Sequence, residues 1–122
     1  MQTIQISVII STYNSFEWLT KVLWGYHAQT FKNFEVVIAD DGSKEETING
    51  IKEIKKSLDF PVQHIWHEDN GFQKSQILNK AILATKGDYI IMSDGDCIPR
   101  EDFVAVHNKF KDVGCFLSGG YF

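Results

Sequence analysis

Apolar runs alternate with stretches of helical period along the chain, the pattern of strands and helices in turn and hence of a mostly parallel sheet covered by helices. Ile6 to Ser11 is the first predicted strand, and its unbroken Val8-Ile9-Ile10 suits a strand buried on both faces. Phe16, Leu19, Leu23 and Tyr26 make one apolar stripe, which predicts a helix from Ser15 to Ala28 capped by Asn14 or Ser15. Phe34 to Ala39 is the second strand. It stops at Asp40-Asp41-Gly42-Ser43, a turn signal whose serine can cap the next helix, Lys44 to Ser57, with Ile48, Ile51, Ile54 and Leu58 on one side. Pro61 precedes a third strand, Val62 to Trp66, which gives way to His67-Glu68-Asp69-Asn70-Gly71. A helix from Phe72 to Thr85 closes at Lys86-Gly87. A fourth strand, Tyr89 to Met92, runs into Ser93-Asp94-Gly95-Asp96. A helix from Glu101 to Phe110 and a short strand from Val113 to Leu117 complete the reading.

Three polar loops thus follow three strands. In an open parallel sheet such loops gather along one edge, where ligands bind outside the carboxyl ends of the strands.

Composition narrows the partners. The 122 residues fit one domain, and 43% hydrophobic with 23% charged residues is ordinary for a soluble globular chain. A net charge of -4 gives no support to a nucleic-acid partner, which is usually met by clustered Lys and Arg. Any phosphate bound here therefore needs local help from a metal ion or a helix N-terminus. The two cysteines, Cys97 and Cys115, are too few for a disulfide scaffold and lack zinc-site spacing, so a reducing cytoplasm is the expected setting. The start, Met1-Gln2-Thr3-Ile4-Gln5, carries no signal-peptide pattern, and no apolar run is long enough to span a bilayer; peripheral attachment to the inner face of the membrane stays open.

Two carboxylates one residue apart, on a turn after a buried strand, can share one cation. Asp94-Gly95-Asp96 has that form, and hard oxygen ligands suit Mn²⁺ or Mg²⁺, which would bridge to diphosphate oxygens. The plain alternative is an acidic turn. Asp40-Asp41-Gly42-Ser43 likewise is either turn chemistry or the place of a carboxylate that accepts an imide N–H from a uracil or thymine ring. Ser11-Thr12-Tyr13-Asn14 is either a loop and cap or a wall that stacks a base on Tyr13. Lys74, on the first turn of its helix, is either a solvated side chain or a phosphate contact. Trp18, Trp24 and Trp66 read as packing, the four histidines show no metal-ligand spacing, and Cys97 has no neighbouring base to make it a nucleophile.

Taken in order, Val8-Ile9-Ile10-Ser11-Thr12-Tyr13-Asn14, Ala28-Gln29-Thr30-Phe31, Phe34 through Ser43, Asn70-Gly71-Phe72 with Asn79-Lys80-Ala81, Gly87-Asp88-Tyr89-Ile90 and Asp94-Gly95-Asp96 resemble the family-2 glycosyltransferases. The resemblance covers almost the whole chain and implies an α/β GT-A fold, Rossmann-like, with residues 1–122 as its nucleotide-sugar-binding part. It implies inverting transfer of a sugar from a nucleoside diphosphate, most often UDP, to an acceptor hydroxyl on a saccharide or lipid-linked glycan. Carried over, Thr12, Tyr13, Asn14, Asp41, Lys74, Asp94 and Gly95 would contact the donor, and Asp96 would hold Mn²⁺ or Mg²⁺. The block His67 to Ser75 is similar to bacterial galactosyl and N-acetylgalactosaminyl transferases of polysaccharide synthesis, including polymerases of the chondroitin type.

Two departures stand out. Ser11 replaces the family's common proline, which is expected to loosen that turn. The family's general base lies C-terminal to the metal motif, in a stretch expected beyond residue 122, so the chain ending Gly119-Gly120-Tyr121-Phe122 reads as truncated and open to self-association at a sheet edge. A binding module without turnover is therefore the alternative. A sugar-nucleotide nucleotidyltransferase fits less well, because the loop from Ser11 to Phe16 lacks both glycines and a basic residue.

Overall fold

The computed structural model describes residues 3–117. Its strands are β1 (Ile6–Thr12), β2 (Phe34–Asp40), β3 (Val62–Trp66) and β4 (Tyr89–Asp94), all parallel and ordered β3-β2-β1-β4. The helices are α1 (Phe16–His27), α2 (Glu45–Lys55), α3 (Lys74–Ala84) and α4 (Phe103–Phe110). The chain moves outward one way through β2 and β3, then returns to place β4 on the other side of β1. That reversal opens a crevice at the carboxyl ends of β1 and β4.

The two central strands have no solvent-facing side. Ile6, Val8 and Ile10 pack with Val36 and Ile38 beneath α1, α2 and α4, whereas Ile9, Val37 and Ala39 pack against Ile77 and Ala81 of α3. This explains the continuous apolar runs: alternate residues are buried by different helices. Removing each large aliphatic side chain from water contributes about 1.5–3 kcal/mol, so the strand ends that carry the polar loops rest on a rigid floor.

Several expectations are corrected. β1, β2 and β4 extend one or two residues further than their apolar runs, through Thr12, Asp40 and Asp94, because the ladder pairs Thr12 with Asp40 and Ser11 with Asp94. Neither Ser15 nor Ser43 makes a capping bond through its hydroxyl to a helix start; α2 is preceded by Lys44, and Ser43 Oγ instead accepts from Asn14 N–H at 2.8 Å. Gly87 is not a helix cap: α3 ends before Thr85, and Gly87 N–H donates to Ser7 Oγ at 2.8 Å. Residues Val113 to Leu117 form no strand. There Asp112 Oδ1 accepts from Val113 N–H at 2.8 Å and its carbonyl accepts from Cys115 N–H, so the local Asp-Val-Gly turn outcompetes extension. The stretch Gly119 to Phe122 lies outside the described residues. No described helix is long and apolar enough to cross a membrane.

Candidate functional site

The carboxyl ends of β1, β2 and β4, with the loop after β3 and the start of α3, surround a cleft of about 800 Å³. Thr12, Tyr13, Asp41, Lys74, Asp94, Gly95 and Asp96 all line it, so residues up to 84 positions apart in the chain share one wall or another. Ser11, Ser15, Trp18, Asp69 and Phe72 line it too. Sequence reading had Ser11 within a candidate wall but missed the other four as site residues. For Asp69 a signal existed in the acidic loop after β3; for Trp18, set on the first turn of α1 and about half exposed, the helical stripe alone gave none.

Asp41 is held from three sides. Its N–H donates to the Thr12 carbonyl at 3.1 Å, its Oδ1 lies 2.7 Å from His67 Nε2, and its Oδ2 accepts from Gln73 N–H at 2.9 Å. Asp40, the preceding carboxylate, is fully buried and structural. It accepts from Ser43 N–H and pairs with His64 Nε2. Gly42 sits between these pairs and the loop after β3 at φ 96°, where any Cβ would lie 2.6 Å from the Asp69 backbone. No other residue fits there.

On the opposite wall, Asp94 Oδ1 accepts from Ser11 Oγ at 2.8 Å and from Lys74 Nζ at 3.2 Å. The Ser11 hydroxyl, with the Lys74 ammonium beside it, holds the Asp94 carboxyl below its usual range. Ser11 thus does not loosen its turn. It ties β1 to β4, which a proline has no donor to do. Gly95 N–H donates to the Ser11 carbonyl at 2.8 Å, and a Cβ at Gly95 would meet that oxygen at 2.7 Å. Close approach to β1 therefore requires this glycine, whether or not a ligand is near.

Asp94, Asp96 and Cys97 can each bring one ligand atom within 4.8 Å of the others. The carboxylates are suited to a hard divalent cation. Cys97 is not: burial, then the neighbouring Asp96, pushes its thiol up and keeps the proton on sulfur. Tyr13 is about half exposed and its hydroxyl donates to Asp69 Oδ2 at 2.6 Å, which raises the phenol and lowers the carboxyl. Thr12 Oγ1 is buried without a hydrogen-bond partner among the described residues.

Asn14 is the one predicted contact that the fold takes out of the lining. At φ 47° its Oδ1 accepts from Lys44 N–H at 2.8 Å while its own N–H reaches Ser43, so it clamps the loop after β1 to the start of α2. Trp66 is exposed at the end of β3 and donates from Nε1 to the Ser43 carbonyl, and His107 of α4 bonds the Tyr89 hydroxyl, away from the cleft.

Comparison with known proteins shows the family and the fold. The profile of Glycosyl transferase family 2 matches residues 7–111. The chain is 30% identical to glycosyltransferase GlyG of Streptococcus pneumoniae over 96% of its own length and 39% of that protein's. It is 31% identical to the chondroitin synthase of Pasteurella multocida over 84% of its length and 11% of the synthase. Staphylococcus aureus TarS 1-349, solved in complex with UDP-GlcNAc, superposes with a TM-score of 0.72 at 26% identity, covering 87% of this chain and 30% of TarS. The mannosyltransferase PcManGT of Pyrobaculum calidifontis, solved with GDP-Man and Mn²⁺, shares the fold with a TM-score of 0.79 at 23% identity, covering 90% of this chain and 33% of that one. The chain spans about two fifths or less of the length of the curated relatives it matches.

Proposed function

From the premise that this chain belongs to Glycosyl transferase family 2 and has its GT-A-like α/β fold, we propose that its cleft binds a UDP-sugar with Mn²⁺ or Mg²⁺ and serves inverting sugar transfer to an acceptor hydroxyl in glycan or polysaccharide synthesis. The observation that carries this reading is the convergence of Asp41, Lys74, Asp94 and Asp96 on one cleft at the carboxyl edge of the sheet. One end offers a carboxylate for an imide N–H, beside the Tyr13 ring for stacking. The other offers two carboxylates for a cation, with an ammonium 3.2 Å from one of them. A nucleoside diphosphate matches that sequence of chemistry along its length.

The donor set fits a hard cation. Among the described residues, Asp94 spends Oδ1 on Ser11 and Lys74, which leaves Oδ2 available, and Asp96 is exposed with only the Cys97 thiol against it at 3.6 Å. Two carboxylates without a full protein cage suit Mn²⁺ or Mg²⁺, which keep waters and take diphosphate oxygens. Held by Asp94 and Asp96, such a cation would supply positive charge to offset that of a departing diphosphate. Lys74 adds a second charge on the same side, and Ser11 keeps Asp94 ionised and oriented for it. TarS with UDP-GlcNAc and the mannosyltransferase with Mn²⁺ lend support from proteins of the same fold.

The test is calorimetric titration of UDP and UDP-sugars with and without Mn²⁺, on the protein and on Asp96→Ala, alongside release of UDP on addition of glycan acceptors. Mn²⁺-dependent UDP binding that Asp96→Ala removes is the expected result. UDP binding indifferent to both would overturn the metal assignment. Binding without UDP release would assign the chain to donor capture alone.

A further inference from the structure

Resting on the reading of Asp41 as the group that accepts a base imide N–H, we infer that His67, backed by Lys80, is a positioning residue that makes this carboxylate selective. His67 Nε2 lies 2.7 Å from Asp41 Oδ1, and Lys80 Nζ lies 3.0 Å from His67 Nδ1. An ammonium has protons to give and no lone pair, so Nδ1 is the acceptor in that contact. The ring is then neutral with its single proton on Nε2, and that proton is donated to Asp41. Lys80 sets the tautomer; His67 delivers the donor.

The consequence for Asp41 is a fixed carboxylate plane. Oδ1 is held by His67 from the loop after β3, and Oδ2 by the Gln73 N–H just ahead of α3. Two bonds to opposite oxygens from separate segments stop rotation of the group. An ionised carboxylate has about four acceptor sites, so two are spent inward and two remain for the cleft that Asp41 lines. The pair is nearly shielded from water, with 13% of the His67 side chain and 11% of the Asp41 side chain exposed. An acceptor so held rewards a ring that presents N–H and penalises one that does not, because a buried acceptor facing no donor is left unpaired. A freely rotating surface aspartate lacks that discrimination. The remaining groups around the pair fit this role: Gln73 contributes only its backbone N–H to Asp41, and the Lys80 contact is the only other polar bond to the His67 ring among the described residues.

The experiment measures affinity for UDP and for UDP methylated at ring N3, whose imide donor is blocked, in the protein and in His67→Ala, His67→Gln, Lys80→Met and Asp41→Ala. Asp41→Ala gives the preference due to the methyl group's bulk alone. The unaltered protein is expected to exceed that baseline at least about tenfold, the low end of a hydrogen bond to a charged group. His67→Ala should fall to the baseline, while His67→Gln, which keeps an amide N–H at similar reach, should retain most of the preference. Lys80→Met alters an exposed side chain and is expected to fold; it should lose roughly threefold of the preference, the scale of one net hydrogen bond. Full preference in both His67→Ala and Lys80→Met would overturn the role given to His67 while leaving Asp41 as the base contact. An unaltered protein no more selective than Asp41→Ala would overturn the base reading, and the inference with it. Should His67→Ala fail to fold, an undiminished preference in Lys80→Met alone overturns the relay.

Discussion

The two ends of the sheet treat their carboxylates in opposite ways. At the amino end, Glu35 is fully buried and accepts from Ser7 Oγ at 2.6 Å, Gln63 Nε2 at 2.9 Å and Lys86 N–H at 2.7 Å. Ser7 in turn accepts from Gly87 N–H, and Gln63 donates a second bond to the Ala84 carbonyl. These bonds close the chain between α3 and β4 over the sheet. At the carboxyl end, Asp41, Asp69, Asp94 and Asp96 face one cleft and each keeps acceptor capacity in hand. Acidic residues near strand ends are common to both. Spare hydrogen-bonding capacity next to open space marks the end that binds, and saturation marks the end that only holds.

The contrast can be broken most forcefully at Asp96. Its replacement by alanine should weaken Mn²⁺ binding by at least about 100-fold, since even outer-sphere partners of a metal are worth up to that much, yet leave thermal stability unchanged within about 0.5 kcal/mol as for other exposed sites. Mn²⁺ titration and a melting curve on one sample check both halves. The reverse is expected of Glu35→Gln. An amide offers one oxygen to three donors, so stability in urea should drop by about 2 kcal/mol, within the range for leaving buried donors unpaired, with UDP affinity retained. A Glu35→Gln protein as stable as the parent would mean that the amino end is not the saturated lock described above.

Lys74→Met sharpens the carboxyl end. Loss of one ammonium from the diphosphate side should weaken UDP about tenfold, with less dependence on salt, because partly exposed charge pairs are screened. The same substitution removes one of the two groups that lower the Asp94 pKa, so its carboxyl should titrate higher in carbon-detected NMR. The smallest effect at neutral pH is expected at Tyr26, whose hydroxyl is buried with no hydrogen-bond partner among the described residues. Burial pushes its phenol far up. The folded pKa thus exceeds the unfolded value, so ionisation leaves stability unaffected below about pH 10 and stability is lost above it, by up to roughly 1.4 kcal/mol per pH unit while only the unfolded form ionises. Tyr26→Phe should be neutral or stabilising by about 1 kcal/mol and should flatten this alkaline slope in urea titrations.

What composition and period reveal is uneven across the chain for physical reasons. Strand cores were legible because a strand buried on both faces must be apolar throughout, as Val8 to Ile10 and Val36 to Ile38 are. Their last residues were not, since Thr12, Asp40 and Asp94 join the ladder through backbone bonds that polar side chains do not advertise. Helix caps were misassigned because serine hydroxyls have several partners to choose from once loops meet. Ser43 takes Asn14 N–H rather than a helix start, and Asn14 Oδ1 accepts from the Lys44 N–H ahead of α2.

By itself, the sequence determined the alternation of strand and helix, the parallel sheet, and the acidic turns that follow its strands. Each is a local property of side-chain period or of glycine and aspartate in a turn. Only the tertiary structure decided which carboxylates stay available. Asp40 and Asp41 are adjacent and chemically identical, yet one is sealed under the loop by His64 and Ser43 while the other reaches the cleft. Strand side chains alternate between faces, and long-range partners such as Ser11 with Asp94 or His67 with Asp41 form only when distant loops are brought to one edge.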